Sequence, residues 1–334
     1  MKKLTLILLL LWTTGGFTQS FMPLYKQVAT WTIGGDGFWD YLTLSSNGDR
    51  LFVAHLNKIE VLDTSNGKVV GEIPANGAHG IALVPGRNLG FSTNGRAGTV
   101  TVFDLDTLKP RTEIKAGENP DAIIYDPHSK DVIVMNGRSK DLMAIDPATL
   151  KVVATVPLGG KLEFAATDEG HVYVNVQDLG EIAAVNTKTW KQDQRWKLNG
   201  CEEPSGLALD PKREVLFSVC GNKVMVVIST KDGKQLAKLP TGAGTDAAKF
   251  DPALKRAFAS NGEGTLTVVQ ESQNGRYEVL GDVATARGAR TMAVDPKTHK
   301  IYLATAELGP PEAGQTRPSI KPGTFMVLVY APAR

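Results

Sequence analysis

Cysteine is nearly absent from this chain, which carries only Cys201 and Cys220. Their spacing fits neither a structural zinc site, which needs more ligands, nor a CxxC redox pair. There is no CxxCH, so covalently attached haem is excluded, and no P-loop, Ser-centred nucleophile elbow or HExxH occurs. Neither sign of charge dominates: 37 Lys and Arg stand against 35 Asp and Glu, for a formal charge of +2. The strong basic excess of a dedicated nucleic-acid binder is therefore missing. The apolar run Leu4–Trp12 is too short to span a bilayer.

That run instead has the layout of a secretory signal. Lys2 and Lys3 precede it, and small or polar residues follow from Thr13 to Ser20, where a peptidase could cut near Thr18 or Ser20. The reading assigns residues 1–20 to a signal peptide and 21–334 to a single mature domain without a transmembrane segment; an uncleaved anchor is the alternative. No cysteine follows the run, which argues against a lipid anchor. Removing the segment takes both lysines with it and leaves a formally neutral protein. Export to a periplasmic or extracellular space would let the two cysteines form a disulfide, the alternative being a free buried pair.

The 34 glycines and 18 prolines, spread along the whole chain, signal many short strands and tight turns. A repeat organises them. Short apolar strands end in Asp-Pro or an equivalent at Ser45, Val84, Asp126, Asp168, Asp210, Asp251 and Asp295, at intervals of 39 to 44 residues. Segments such as DVIVMN and KVVATVPLGG are β-branched and punctuated by Gly, Asn or Pro, so each repeat is four strands and not a helix pair. Seven such units predict an all-β, seven-bladed β-propeller, with blades near 40–78, 79–120, 121–162, 163–204, 205–245, 246–289 and 290–334. The last blade lacks its outer strand. YKQVATWTIGG, at 25–35, aligns without gaps on LKVVATVPLGG, at 150–160, so the N-terminus should close the ring.

The segments FSTNGRAGTVTVFDLDTLK, at 91–109, and VMNGRSKDLMAIDPATLKVVATVPLGG, at 134–160, resemble the YVTN consensus, and SNGEGTLTVV at 260–269 follows it more loosely. Blades four and five depart from it at the Asn-Gly turn. The resemblance to the YVTN-repeat (YncE-like) propellers covers essentially the whole mature chain and implies a periplasmic or secreted binding or scaffold protein. Family members have been linked to ligand, cell-surface and nucleic-acid binding; the last is not supported by the neutral charge.

Five residues before each repeat marker stands the residue that should precede the innermost strand: Asp40, His79, Asp121, Glu163, Ser205, Asp246 and Arg290. Equivalent positions imply a ring around one mouth of the channel, with four carboxylates facing one His and one Arg. Such a ring could hold a divalent cation, with Asp121, Glu163 and Asp246 as candidate ligands, or bind a basic ligand, or do acid/base work. The plainer alternative is that these side chains solvate the channel or pair across it. On the same face, Arg96 and Arg138 occupy one position in adjacent blades and could grip an anion, while the asparagines beside them, Asn94, Asn136 and Asn261, are read as turn formers at positive φ. Cys201 and Cys220 should meet at this end of blade five.

The segment Ala306–Gly323 reads as a long irregular loop, a candidate lid offering Glu307, Arg317 or Lys321. Gly37-Phe38-Trp39 offers aromatics nearby, and edge packing explains Trp190 and Trp196 at least as well as base stacking does. His128 and His299 fall in turns on the opposite face and read as solvated. Three functions compete: a binding or interaction protein engaging a small molecule or protein at the mouth, as a monomer; a metal-dependent lactonase- or lyase-like enzyme with His79 as base; and a haem-type redox propeller using His55 or His79 as ligand.

Overall fold

The computed structural model describes residues 24–312, 314, 315 and 317–333, so residues 1–20, expected to form a signal peptide, lie outside the described residues. The chain forms seven four-stranded antiparallel sheets arranged as the blades of a propeller. Their innermost strands are Trp39–Leu44, Ala78–Val84, Pro120–Tyr125, Leu162–Thr167, Pro204–Asp210, Thr245–Asp251 and Thr291–Val294.

Burial within a blade explains the local sequence. In blade three, the second strand Val132–Asn136 is buried at every residue and the third, Asp141–Asp146, at its four central ones, because neighbouring blades cover both faces. Such strands read as continuous apolar runs. The outer strand Lys151–Pro157 is mostly exposed, Val152 and Val153 included. Side chains alternate between the two neighbours: Val134 and Ile145 pack toward Phe91 and Val102 of blade two, while Ile133 and Leu142 pack toward Val172 and Val174 of blade four. The hydrophobic core is thus distributed between blades.

Closure is as the sequence indicates. Tyr25–Thr32 pairs antiparallel with Met326–Pro332 and forms the outer strand of the last blade. Tyr25 packs edge-on against Phe258 of blade six at 5.5 Å, and Trp31 lies 5.5 Å from Tyr302. The repeated Asp of Asp-Pro is turn chemistry: the buried carboxylates of Asp126, Asp210, Asp251 and Asp295 each accept backbone N–H groups two residues on, at 2.9 to 3.2 Å.

Two expectations need correction. Ala306–Gly323 is not wholly irregular, since Leu308–Pro311 and Pro318–Ile320 form a small hairpin whose Leu308 and Ile320 pack on the core cluster of Trp39 and Phe325. His299 is not a solvated turn residue: its Nδ1 lies 2.7 Å from the fully buried Asp251 carboxylate of the preceding blade.

Candidate functional site

Six of the seven ring residues sit one step deeper than expected. Asp40, His79, Asp121, Glu163, Ser205 and Asp246 are each the second residue of an innermost strand, not the residue before it, and Arg290 alone lies just outside. Each of the six falls within a β-bulge, where the pairing register slips between Trp39 and Leu42, Ala78 and Ile81, Pro120 and Ile123, Leu162 and Ala165, Pro204 and Leu207, and Thr245 and Ala247. A bulge inserts one unpaired residue and re-aims its side chain.

Backbone carbonyls at ring positions are satisfied from next door. Asn175 Nδ2 donates to the carbonyl oxygen of Ser205 at 2.9 Å, Ser260 Oγ to that of Arg290 at 2.5 Å, Thr291 Oγ1 to that of Asp40 at 2.8 Å, and Thr93 Oγ1 to that of Asp121. These donors are fully buried polar side chains. Four of the seven blades thus fix the ring position of a neighbour, and Thr93, Ser260 and Thr291 were not anticipated because they lie inside or at the start of strands.

At the mouth, His79 Nδ1 lies 2.5 Å from Asp40 Oδ2 and 3.8 Å from Asp121 Oδ1. Asp40, His79 and Asp121 place one donor atom each within 4.8 Å of one another. Glu163 and Asp246, expected beside Asp121 as metal ligands, carry partners of their own: Lys161 Nζ at 2.7 Å and Arg290 Nε at 2.7 Å. The donors that converge are thus a different set from the expected one. Lys161 lies outside the repeat position and was not anticipated.

Charge crowding sets the electrostatics. Burial pushes the Asp121 carboxyl well above the ordinary range, and Asp40 and Glu163 push it further, against the pull of His79. Burial works against the charged form of His79, but its hydrogen bond to Asp40 and the charge of Asp121 outweigh this and raise it to about 9. Burial raises Glu163 and Asp246 too, opposed by Lys161 and Arg290 respectively. At neutral pH the mouth holds four carboxyl groups against three cations, and Asp121 is the one best placed to keep its proton.

Beneath the ring an aromatic pair spans the channel. Tyr41 of blade one and Phe164 of blade four, which are not neighbours, meet at 5.1 Å between ring centroids, so the contact crosses the axis. Burial and the nearby Asp121 push the Tyr41 phenol well above its ordinary range, so it stays neutral.

The remaining candidates divide. Arg96 and Arg138 are exposed and make no ion pair among the described residues. Asn94, Asn136 and Asn261 do not take positive φ; they are buried, and their side-chain amides bond to Thr101, Asp141 and Thr267 inside the blades. His55 is buried, stacks on Phe325 at 4.0 Å and lies 3.2 Å from Glu60, so it does not face the channel mouth as a free ligand. Phe38 is exposed beneath the Arg317 guanidinium, whereas Trp39 is core. Glu307 pairs with Lys321 on their own hairpin. Trp196 stacks on Tyr173 and Trp190 packs on the core, consistent with edge packing. Cys201 and Cys220 form a disulfide at this end of blade five.

A family model described as outer membrane protein assembly factor BamB matches residues 96–308. Among solved structures, the chain is similar to one titled Kuenenia stuttgartiensis Hydrazine Synthase, with 17% identity over 88% of this chain and 96% of that one and a TM-score of 0.68. It is also similar to one titled Structure of U3-55K, with 9% identity over 91% and 98% of the two chains and a TM-score of 0.76. At these identities the likeness concerns the fold alone. No curated protein matches.

Proposed function

This chain belongs to the family of the outer membrane protein assembly factor BamB, and on that premise we propose that it is an exported binding or interaction propeller whose polar mouth holds its ligand. The family's description, the disulfide and the leader-like residues 1–20 support placement in the cell envelope. The repeats at 91–109 and 134–160 support kinship with propellers of the YVTN type as well.

The carrying observation is the convergence of Asp40, His79 and Asp121, from three consecutive blades, at the mouth. Two carboxylates and an imidazole form a mixed oxygen and nitrogen set, which suits Mn²⁺ or Zn²⁺ better than Ca²⁺, a cation that prefers oxygen alone. Binding would relieve the crowding that raises Asp121 and would displace the proton shared near His79. Because Tyr41 and Phe164 meet across the channel directly below, the mouth suits an ion or the tip of a larger partner better than an enclosed substrate. That favours binding over the lactonase- or lyase-like alternative. A haem-type reading is weakened by the burial of His55 and by the engagement of His79 with Asp40.

Elemental and visible-absorbance analysis of protein purified from its own host tests this reading. A stoichiometric divalent transition metal without Soret absorbance supports it, and bound haem refutes it.

A further inference from the structure

At the opposite end of the channel a cavity of about 880 Å³ runs inward from turns that include Ser45, Asn47 and Gly86, past Ile81, Ile123 and Tyr125, to Phe164 and Lys249. We propose that this cavity is a second binding site, for a ligand that joins a carboxylate to an apolar body, with the Lys249 ammonium holding the carboxylate. The Tyr41–Phe164 contact lies between it and the mouth, and the proposal stands independently of the function proposed there.

Lys249 is out of pattern. It stands three residues after the ring position of its blade, where the other six blades place Thr43, Ala82, Ile124, Ala166, Ala208 and Ala293. Six small or apolar residues and one lysine are not what generic hydration of a channel requires. Its Nζ lies 4.2 Å over the centre of the Phe164 ring, which covers one side of the ammonium by a cation–π contact. Among the described residues it forms no ion pair. An inward cation without a counter-charge is costly, so an anion entering the cavity gains a partner that the protein leaves free. Burial lowers the amine to about 8, which still leaves it mostly charged at pH 7.

The charged groups nearer the rim, Asp49, Arg50 and Asp106, have partners of their own, Asp106 accepting from Asn88 Nδ2 at 2.8 Å. Arg50 Nη1 donates to the Leu105 carbonyl at 2.6 Å, and the Asp49 carboxylate accepts from Ser45 Oγ at 2.8 Å. The walls supply apolar surface from Ile81, Ile123 and Tyr125, and the volume is that of a pocket for a small organic molecule. A bare inorganic anion would leave those walls wet, hence the apolar body.

Calorimetric titration of the full chain at pH 7 with 4-phenylbutyrate, 4-phenylbutanol and inorganic phosphate tests the assignment. The acid should bind one to one, with the alcohol and phosphate each at least tenfold weaker. Lys249→Met, which keeps the apolar stem, should lose at least tenfold in affinity for the acid, while Lys249→Arg retains most of it. The melting temperature of Lys249→Met should not fall, which separates loss of the site from loss of the fold. The proposal is overturned if the acid does not bind, if acid and alcohol bind equally, if phosphate matches the acid, or if Lys249→Met binds as wild type.

Discussion

His79 Nδ1 meets Asp40 Oδ2 at 2.5 Å although the two residues belong to different blades, and the same nitrogen lies 3.8 Å from Asp121 of the blade beyond. One imidazole thus ties three consecutive blades together at the mouth, and its protonation state should be felt by the whole ring.

The stability of the metal-free protein should therefore depend on pH through His79. Its folded-state value, about 9, lies above the ordinary 6.5, so the folded protein binds this proton more tightly than the unfolded chain. The contribution is complete below about pH 6.5 and disappears as pH rises through 9. Thermal melts between pH 6 and 9.5 should show the decline, and Asp40→Asn should flatten it. A wild-type profile identical to that of the variant would contradict the assignment.

Lys249 should act in the opposite sense. Its folded value of about 8 lies below the ordinary 10.5, so the unfolded chain binds more protons in that window, and stability rises with pH between 8 and 10.5. Comparison of wild type with Lys249→Met over this range isolates the contribution: the gap in favour of the variant should narrow as pH rises.

The N-terminal strand should hold the ring shut. Tyr25 is almost fully buried and packs on Phe258, in the adjoining blade. Tyr25→Ala should cost about 3–5 kcal/mol, the usual loss for truncating a large buried aromatic. Deletion of residues 21–35 exposes the edge of Met326–Pro332 and should cost more. Urea unfolding of the two forms checks both, and a truncated protein with an unchanged midpoint would remove the closing role.

The disulfide closes a loop of about 20 residues, for which chain entropy suggests a stabilisation of about 3 kcal/mol. The Cys201→Ser, Cys220→Ser double variant should lose roughly that amount in denaturant unfolding. Intact mass of the native protein should show no free thiol.

Much of the fold was legible because a propeller states its architecture seven times over, and the missing outer strand of blade seven could be found by aligning 25–35 on 150–160. The ring positions were legible for the same reason. Their depth was not, since a bulge leaves no local signature when its partner residue lies on the next blade, as with Thr291 and Asp40. Asn94, Asn136 and Asn261 misled because Asn-Gly suggests a turn at positive φ, whereas the amides are buried and bonded within the blade. Tyr41 and Lys249 left a readable trace. Tyr41 and Phe164 share a repeat position whose other members are Gly80, Ala122, Gly206, Ala247 and Thr291, and the residues equivalent to Lys249 are small or apolar, so comparison down each column singles out the aromatic pair and the lysine.

The central claim is that Asp40, His79 and Asp121 together hold a divalent cation. It is tested most directly by titrating metal-free protein with Mn²⁺ or Zn²⁺ at pH 7 in two buffers of different ionisation enthalpy. One site is expected, with release of about two protons, one from His79 and one from Asp121, and loss of binding in Asp121→Asn with the fold retained. The absence of binding, or binding that Asp121→Asn leaves intact, would contradict it.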